Sequence, residues 1–237
     1  MLRTLILAGG KGTRISELSA RVPKPMIEAN KKPLFLHIVD QYSKYGVNEF
    51  TILGGYKFKI FEKYLMYNFS SIEKNKFKYK DSKIELLNTG SETMTGGRIK
   101  RALSKYKDEE FFLTYGDGVA DVNIRKLYSF HQKESVLATV TAVNPPPRFG
   151  ILNIKKNRVV NFQEKPDINE WINGGYFVIN RKIIKLLKDD MTIFEKKPLE
   201  KLSKEKNLAV YKHNGFWQCV DSLKDLEVLQ NRLKIIQ

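Results

Sequence analysis

The chain has 237 residues, a length that one α/β domain can occupy, and its 42% hydrophobic content is too high for a disordered chain. Its apolar runs all fall short of the roughly 18 residues of a membrane span, which excludes a membrane-spanning helix. The formal net charge of +16 favours an anionic partner, but its 32 Lys and 10 Arg are scattered singly and in pairs, unlike the concentrated basic face of a nucleic-acid reader.

In chain order, LRTLILA (Leu2 to Ala8) reads as a buried strand. It is cut off by Gly9, Gly10 and Lys11 without the layout of a signal peptide, so a cytoplasmic protein is expected, with neither membrane nor nucleic acid as partner. PLFLHIVDQYSKYG (33–46) is a helix with proline at its start and glycine as its stop. EFTILGG (49–55) is a strand, KIFEKYLMYNF (59–69) a helix, KIELLNTG (83–90) a strand and GGRIKRALSKY (96–106) a helix. EFFLTYGDG (110–118) is a strand ending in a polar turn, VNIRKLYSFHQK (122–133) a helix and SVLATVTAV (135–143) a strand. This alternation predicts a mostly parallel sheet covered on both faces.

The second half changes character. RFGILNIKKNRVVNFQEKP (148–166) alternates around the turn KKN and predicts a hairpin. INGGYFVIN (172–180) is a strand, KIIKLLKD (182–189) and PLEKLSKE (198–205) are helices, LAVYKH (208–213) and FWQCVD (216–221) are strands, and SLKDLEVLQNRLKII (222–236) is a closing helix. The expected architecture is one α/β domain, 1–237, with a mixed, mostly parallel central sheet. A Rossmann-like nucleotide-binding half, about 1–135, joins a β-rich half, 136–237, that forms one wall of a cleft.

Chemistry concentrates at strand ends. GGKGTR is neither the dinucleotide fingerprint, because Arg14 stands where the third glycine belongs, nor the NTPase loop, because G-K-[ST] is absent at the right spacing. It reads as a phosphate-holding loop or as a strand-to-helix turn with incidental glycines. In VPKPM, two prolines hold Lys24 in an extended segment, suited to placing a point charge on a phosphate oxygen. Asp117, between Gly116 and Gly118, and Asp221 both end strands, where a carboxylate suits Mg²⁺; a turn for Asp117 and a helix cap for Asp221 are the alternatives. Glu164 and Lys165 in NFQEKP, with Asn173, Gly174 and Gly175 in INGGYFV, form a second polar cluster or a plain surface loop. Cys219 is the single cysteine, which rules out an internal disulfide and is a poor basis for a metal cluster.

Taken together and in this order, LAGGKGTR, PKPM, YGDG, FQEKP, INGGYFV and FWQCVD resemble the sugar-1-phosphate nucleotidyltransferase family. The resemblance covers nearly the whole chain. TGSETMTGGRIKRA, FLTYGDGVADVNI, RFGILNI and GFWQCVDSLKDLEVL look most like its glucose-1-phosphate cytidylyltransferase branch. In one respect the chain departs from that branch: NFSSIEKNKFKYKDSKIELLN is shorter than its counterpart, and the C-terminus stops earlier.

The resemblance implies a Rossmann-like nucleotidyltransferase fold acting on CTP and α-D-glucose 1-phosphate with Mg²⁺, in a homo-oligomer. It places the nucleotide on Leu7, Ala8, Gly9, Gly10, Lys11, Gly12, Thr13 and Arg14, with Gly116 and Asp117 beside it. Arg14 is implied to neutralise the leaving pyrophosphate and Lys24 the α-phosphate, with Asp117 and Asp221 holding the metal. Thr89, Gly90, Thr95, Gly96, Gly97 and Arg98 are implied to lie near the base. Lys165 is implied to bind the sugar phosphate, Glu164, Asn173 and Gly174 the sugar, with Gly150 beside that pocket. Another nucleotide or sugar phosphate on the same scaffold, or a non-catalytic domain that keeps the fold, are the alternative readings.

Overall fold

The computed structural model describes residues 2–12, 21–146, 149–166 and 170–236. Its centre is strand β1 (Arg3–Ala8), whose consecutive apolar run Leu5–Ala8 is buried and which pairs in parallel on both sides, with β4 (Glu49–Gly54) and β8 (Glu110–Tyr115). A strand with neighbours on both edges and layers on both faces has no side to give to water, which is why the run does not alternate.

Among the described residues the main sheet has nine strands, and β2 (Glu28–Ala29) and β3 (Lys32–Pro33) form a separate antiparallel ribbon. Beyond β4 lie β7 (Ser82–Asn88), β6 (Lys76–Tyr79) and β5 (Ser70–Glu73); beyond β8 lie β13 (Ile172–Asn180), β10 (Ala138–Val143) and β14 (Leu208–His213). Tracing the pairings outward from β1, only β6 and β13 run against the common direction. The sheet is therefore mixed and mostly parallel, as expected. The short segment after residue 68 forms the β5–β6 extension of the sheet, which periodicity does not show.

Side chains alternate cleanly between two cores. Ile6, Phe112, Tyr176 and Val178 pack on one face with Phe35 and Tyr42 of helix α1 (Leu34–Ser43). Leu5, Leu7, Phe111, Leu113 and Phe177 pack on the other with Ile99 and Leu103 of helix α3 (Thr95–Lys105). Helices α2 (Phe58–Asn68) and α4 (Ile124–Glu134) complete the crossovers, the latter capped by Asn123, whose side chain accepts from the Lys126 amide at 3.0 Å.

The second half holds two corrections. The helix expected over 182–189 is a short 3₁₀ segment, Arg181–Leu186. Asn180 caps it, and a turn in which the Asp189 side chain accepts from the Met191 amide at 3.0 Å comes directly after it, so the run is too short to propagate an α-helix. FWQCVD does not join the main sheet: β15 (Trp217–Cys219) pairs antiparallel with β9 (Gly118–Ala120) in a separate ribbon. The hairpin forms as expected, from β11 (Ile151–Lys155) and β12 (Arg158–Gln163), and its residues are exposed on both faces. Helices α5 (Lys197–Lys204) and α6 (Leu223–Ile236) close the fold.

The order β7-β4-β1-β8 has a consequence for function. The chain leaves β1 towards β4 on one side and returns to β8 on the other, which opens a crevice at the C-terminal ends of β1 and β8.

Candidate active site

That crevice is a cavity of about 730 Å³ whose lining includes Leu7, Ala8, Gly9, Gly10 and Gly12 from the loop after β1. Gly9 has no room for a side chain: a Cβ there would lie 2.1 Å from the Arg98 guanidinium. Thr13 and Arg14 lie outside the described residues. Lys11 is not among the cavity's described lining and pairs with Glu92 at 3.0 Å on the surface.

Lys24 begins a single 3₁₀ turn, Lys24–Met26, between Pro23 and Pro25. Its ammonium donates to Asp117 Oδ2 at 2.6 Å and to Asp221 Oδ1 at 2.6 Å, with the side chain only 11% exposed. Burial alone would lower the lysine pKa, but the charge of Asp117 and the hydrogen bonds to both carboxylates outweigh it and hold the pKa above its ordinary value.

Two elements bring the carboxylates together. Asp117 comes two residues after the end of β8, and the intervening Gly116 is packed so closely that a Cβ would meet Pro25 Cγ at 2.6 Å. The β9–β15 ribbon pairs Gly118 with Cys219, and the Val220 amide donates to Asp117 O at 3.0 Å, so the two strand ends are tied residue to residue. Asp221 is not the cap of α6. Ser222 accepts from the Asp225 amide at 3.2 Å and Asp225 reaches back to the Asp221 amide at 3.1 Å, a reciprocal box that leaves the Asp221 carboxylate to face Lys24.

Cys219 joins this cluster. One ligand atom each from Asp117, Cys219 and Asp221 lie within 4.8 Å of one another. Burial, and then the Asp117 charge, push the thiol pKa far up, and the sulfur donates weakly to Asp221 Oδ2 at 3.8 Å. The signal for Cys219 was its spacing from Asp221: on an extended strand, residues two apart share a face.

The other predicted positions divide into those in the wall and those behind it. Thr95, Arg98, Gly116, Asn173 and Gly174 line the cavity. Thr89, Gly90, Gly96 and Gly97 are not among its described lining. The Gly96 amide instead donates to Thr192 O at 2.8 Å, and Thr89 Oγ1 donates to Gly54 O at 2.6 Å. The buried Arg98 guanidinium ties these pieces together, donating to Thr89 Oγ1 at 2.6 Å, Gly90 O at 2.7 Å and Gly9 O at 2.8 Å. Burial, with Arg101 adding to it, brings its pKa down to about 10. Gly150, Glu164 and Lys165 stand at the base of the exposed hairpin and are not brought into the wall; Glu164 and Lys165 pair with each other at 3.5 Å.

Sequence reasoning missed part of the wall. Glu195 accepts from Thr95 Oγ1 at 2.6 Å and from Tyr115 OH at 2.8 Å, while Asn173 donates to Tyr115 OH at 3.1 Å. Burial, then the Glu195 charge, push the Tyr115 phenol far up, so it stays a neutral donor. Trp217 donates to Gly174 O at 2.7 Å and fixes β13 to the ribbon. Tyr115 was legible as the last residue of its strand, and Trp217 as part of FWQCVD. Glu195 sits in a loop between elements, and no periodicity marked it.

A glycine-rich strand end, a buried lysine and two converging carboxylates form a crevice fit for a phosphate-bearing ligand with a cation. Comparison with known families gives a match over residues 3–234 to nucleotidyl transferase. The chain belongs to the nucleotidyl transferase family. This nucleotidyl transferase is 41% identical to glucose-1-phosphate cytidylyltransferase of Salmonella typhimurium, over 97% of this chain and 95% of that one. It is 42% identical to a Bacillus subtilis protein named "Probable glucose-1-phosphate cytidylyltransferase", over 95% of this chain and 93% of that one. Its fold matches the crystal structure of HddC from Yersinia pseudotuberculosis complexed with GMP-PN, with a TM-score of 0.77 at 22% identity over 98% of this chain and 100% of that one.

Enzymes of this family generally use a divalent metal, and the residues present fit one. Asp117 and Asp221 already converge on a single positive group, and their oxygens are the hard donors such an ion prefers. Among the described residues, no helix is long and apolar enough to cross a membrane.

Proposed function

We propose that this nucleotidyl transferase converts CTP and α-D-glucose 1-phosphate to CDP-glucose and pyrophosphate, with Mg²⁺. The observation that carries the reaction class is the convergence of Lys24, Asp117 and Asp221 beside the glycine loop at the switch point of the sheet. The choice of cytosine and glucose is supported by the cytidylyltransferases at 41–42% identity over nearly the full chain.

In this reading a phosphate oxygen of glucose 1-phosphate attacks the α-phosphorus of CTP. The new P–O bond forms as the bond to the β-phosphate oxygen breaks, and pyrophosphate leaves in line. The nucleophile is already an anion at neutral pH, so no general base is needed; catalysis is positioning and charge neutralisation. Backbone groups of Leu7 to Thr13 cradle the nucleotide, and Arg14 neutralises the leaving pyrophosphate. Lys24 serves the α-phosphate, where charge accumulates. Asp117 and Asp221 would hold the Mg²⁺, which would supply charge neutralisation to the phosphates. Thr95 and Arg98 form the wall nearest the base, with Thr89, Gly90, Gly96 and Gly97 supporting it. Asn173 and Gly174 face the sugar; Gly150, Glu164 and Lys165, which stand outside the cavity wall at the base of the hairpin, are assigned to the sugar side, Lys165 to the sugar phosphate.

The chain is read as one domain, 1–237, with the nucleotide half ending near 135. A cytoplasmic homo-oligomer completes the proposal. The hairpin supports it: Leu152, Ile154, Val160 and Phe162 are exposed large apolar side chains, and an isolated two-stranded hairpin is marginal in water.

Pyrophosphate release with Mg²⁺ and glucose 1-phosphate, compared across CTP, UTP, dTTP, GTP and ATP, tests the function. Strong release with CTP alone is expected. Release with another nucleotide in its place would overturn the cytidylyl assignment and keep the reaction class.

A further inference from the structure

Lys24 stands where a bound cation is needed. Its ammonium lies 2.6 Å from one oxygen of each carboxylate, and all three side chains are largely buried, Asp117 at 25% and Asp221 at 19% exposure. Those are the carboxylates assigned above to the metal. The ammonium neutralises part of their mutual repulsion and engages lone pairs that a metal would use. A divalent ion and the ammonium on the same oxygens would set three positive charges against two negative ones in a pocket poorly screened by water.

We propose that Lys24 is an exchangeable place-holder: it fills the cation site of the ligand-free enzyme and yields it when a nucleotide phosphate offers the ammonium another partner. The backbone is suited to such an exchange. Lys24 is fixed between two prolines, in a turn closed by the Met26 amide donating to Pro23 O at 2.8 Å. Only the side chain therefore needs to move. The glycine loop lines the same cavity, so the ammonium can pass from carboxylates to phosphate without leaving it. Metal and nucleotide then become mutually dependent ligands, each tightening the other by the same factor. Metal alone binds weakly, and the empty site does not present two bare carboxylates to an incoming triphosphate.

This inference rests on the assignment of the metal to Asp117 and Asp221, and not on which base or sugar is used. Its test uses Mn²⁺ alone, with no nucleotide, titrated into wild type, K24M and K24R while free Mn²⁺ is monitored by electron paramagnetic resonance. K24M is expected to bind Mn²⁺ at least about tenfold more tightly than wild type, and K24R, which keeps the charge, to resemble wild type. Equal affinity of wild type and a folded K24M would overturn the proposal. Should K24M fail to fold, the ammonium signal of Lys24 in ¹⁵N-lysine-labelled wild type decides. Broadening by sub-millimolar Mn²⁺ alone overturns the proposal, and a signal unchanged until nucleotide is added supports it. Because turnover is not the readout, a failure of the CTP assignment would leave this result standing and be recognised separately.

Discussion

The strand-end cluster and the β11–β12 hairpin, both assigned to substrate in the proposed function, are built in opposite ways. Lys24, Asp117 and Asp221 are fixed by prolines, a ribbon and a helix cap, all rooted in a buried sheet. Glu164 and Lys165 are carried by two strands exposed on both faces and pair only loosely with each other. A triphosphate under attack needs charge placed accurately, because its repulsion falls steeply with distance. A sugar phosphate needs hydrogen-bonding and charged groups that tolerate adjustment. In the proposed function the rigid region therefore serves the chemistry, and the exposed one serves recognition.

The largest effects should fall on the rigid region. Asp117→Asn and Asp221→Asn are each expected to lower Mg²⁺-dependent turnover by about 100- to 1,000-fold, by analogy with losing one preorganised transition-state contact. Turnover near wild type in both would remove them from the metal site. Stability should separate the regions in the same direction. Phe112 is 2% exposed in the core and Phe162 is 58% exposed on the hairpin. Phe112→Ala should cost about 3–5 kcal/mol in denaturant unfolding. Phe162→Ala should stay within about 0.5 kcal/mol in a monomeric chain. A comparable loss for both would mean that the hairpin is packed in solution, and its dependence on protein concentration would then report an assembly.

Smaller effects sharpen the contrast. A charge-assisted contact is worth about 1.5–3 kcal/mol, so Lys24→Ala should slow turnover at least about tenfold at saturating substrates. Glu195→Gln keeps the shape of the Thr95–Glu195–Tyr115 junction while weakening its hydrogen bonds. It should change KM by only a few fold, in initial-rate measurements with each substrate varied in turn. A loss as large as that of Lys24→Ala would place Glu195 in the chemistry.

Much of this was legible before the fold was known, because the two periods of the backbone leave marks in sequence. The unbroken apolar run of β1 and the glycines after it announced a buried strand ending in a ligand loop. Lys24, Asp117 and Asp221 were visible as polar residues stranded among prolines, glycines and apolar strands. Two things were hidden. Pairing of β9 with β15 joins residues 118–120 to 217–219, and no local pattern encodes a contact across a hundred residues. Glu195 and Arg98 act through partners far along the chain: Arg98 holds Gly9 from 89 positions away, and Glu195 receives Tyr115 from 80. Arg98 was marked as a residue near the base, but its bracing of the glycine loop is visible only with its carbonyl partners in place. The 3₁₀ segment after β13 shows the same limit: its apolar spacing is helical, and the Asp189 turn stops it.

The contrast between the two regions is tested most directly by equilibrium binding of a non-hydrolysable CTP analogue with Mg²⁺ to wild type, Asp221→Asn and a Glu164→Ala, Lys165→Ala double variant, with no sugar phosphate present. The account predicts about tenfold or greater weakening for Asp221→Asn and a change within about twofold for the hairpin variant. Equal weakening of both, or a larger loss from the hairpin variant, would contradict it.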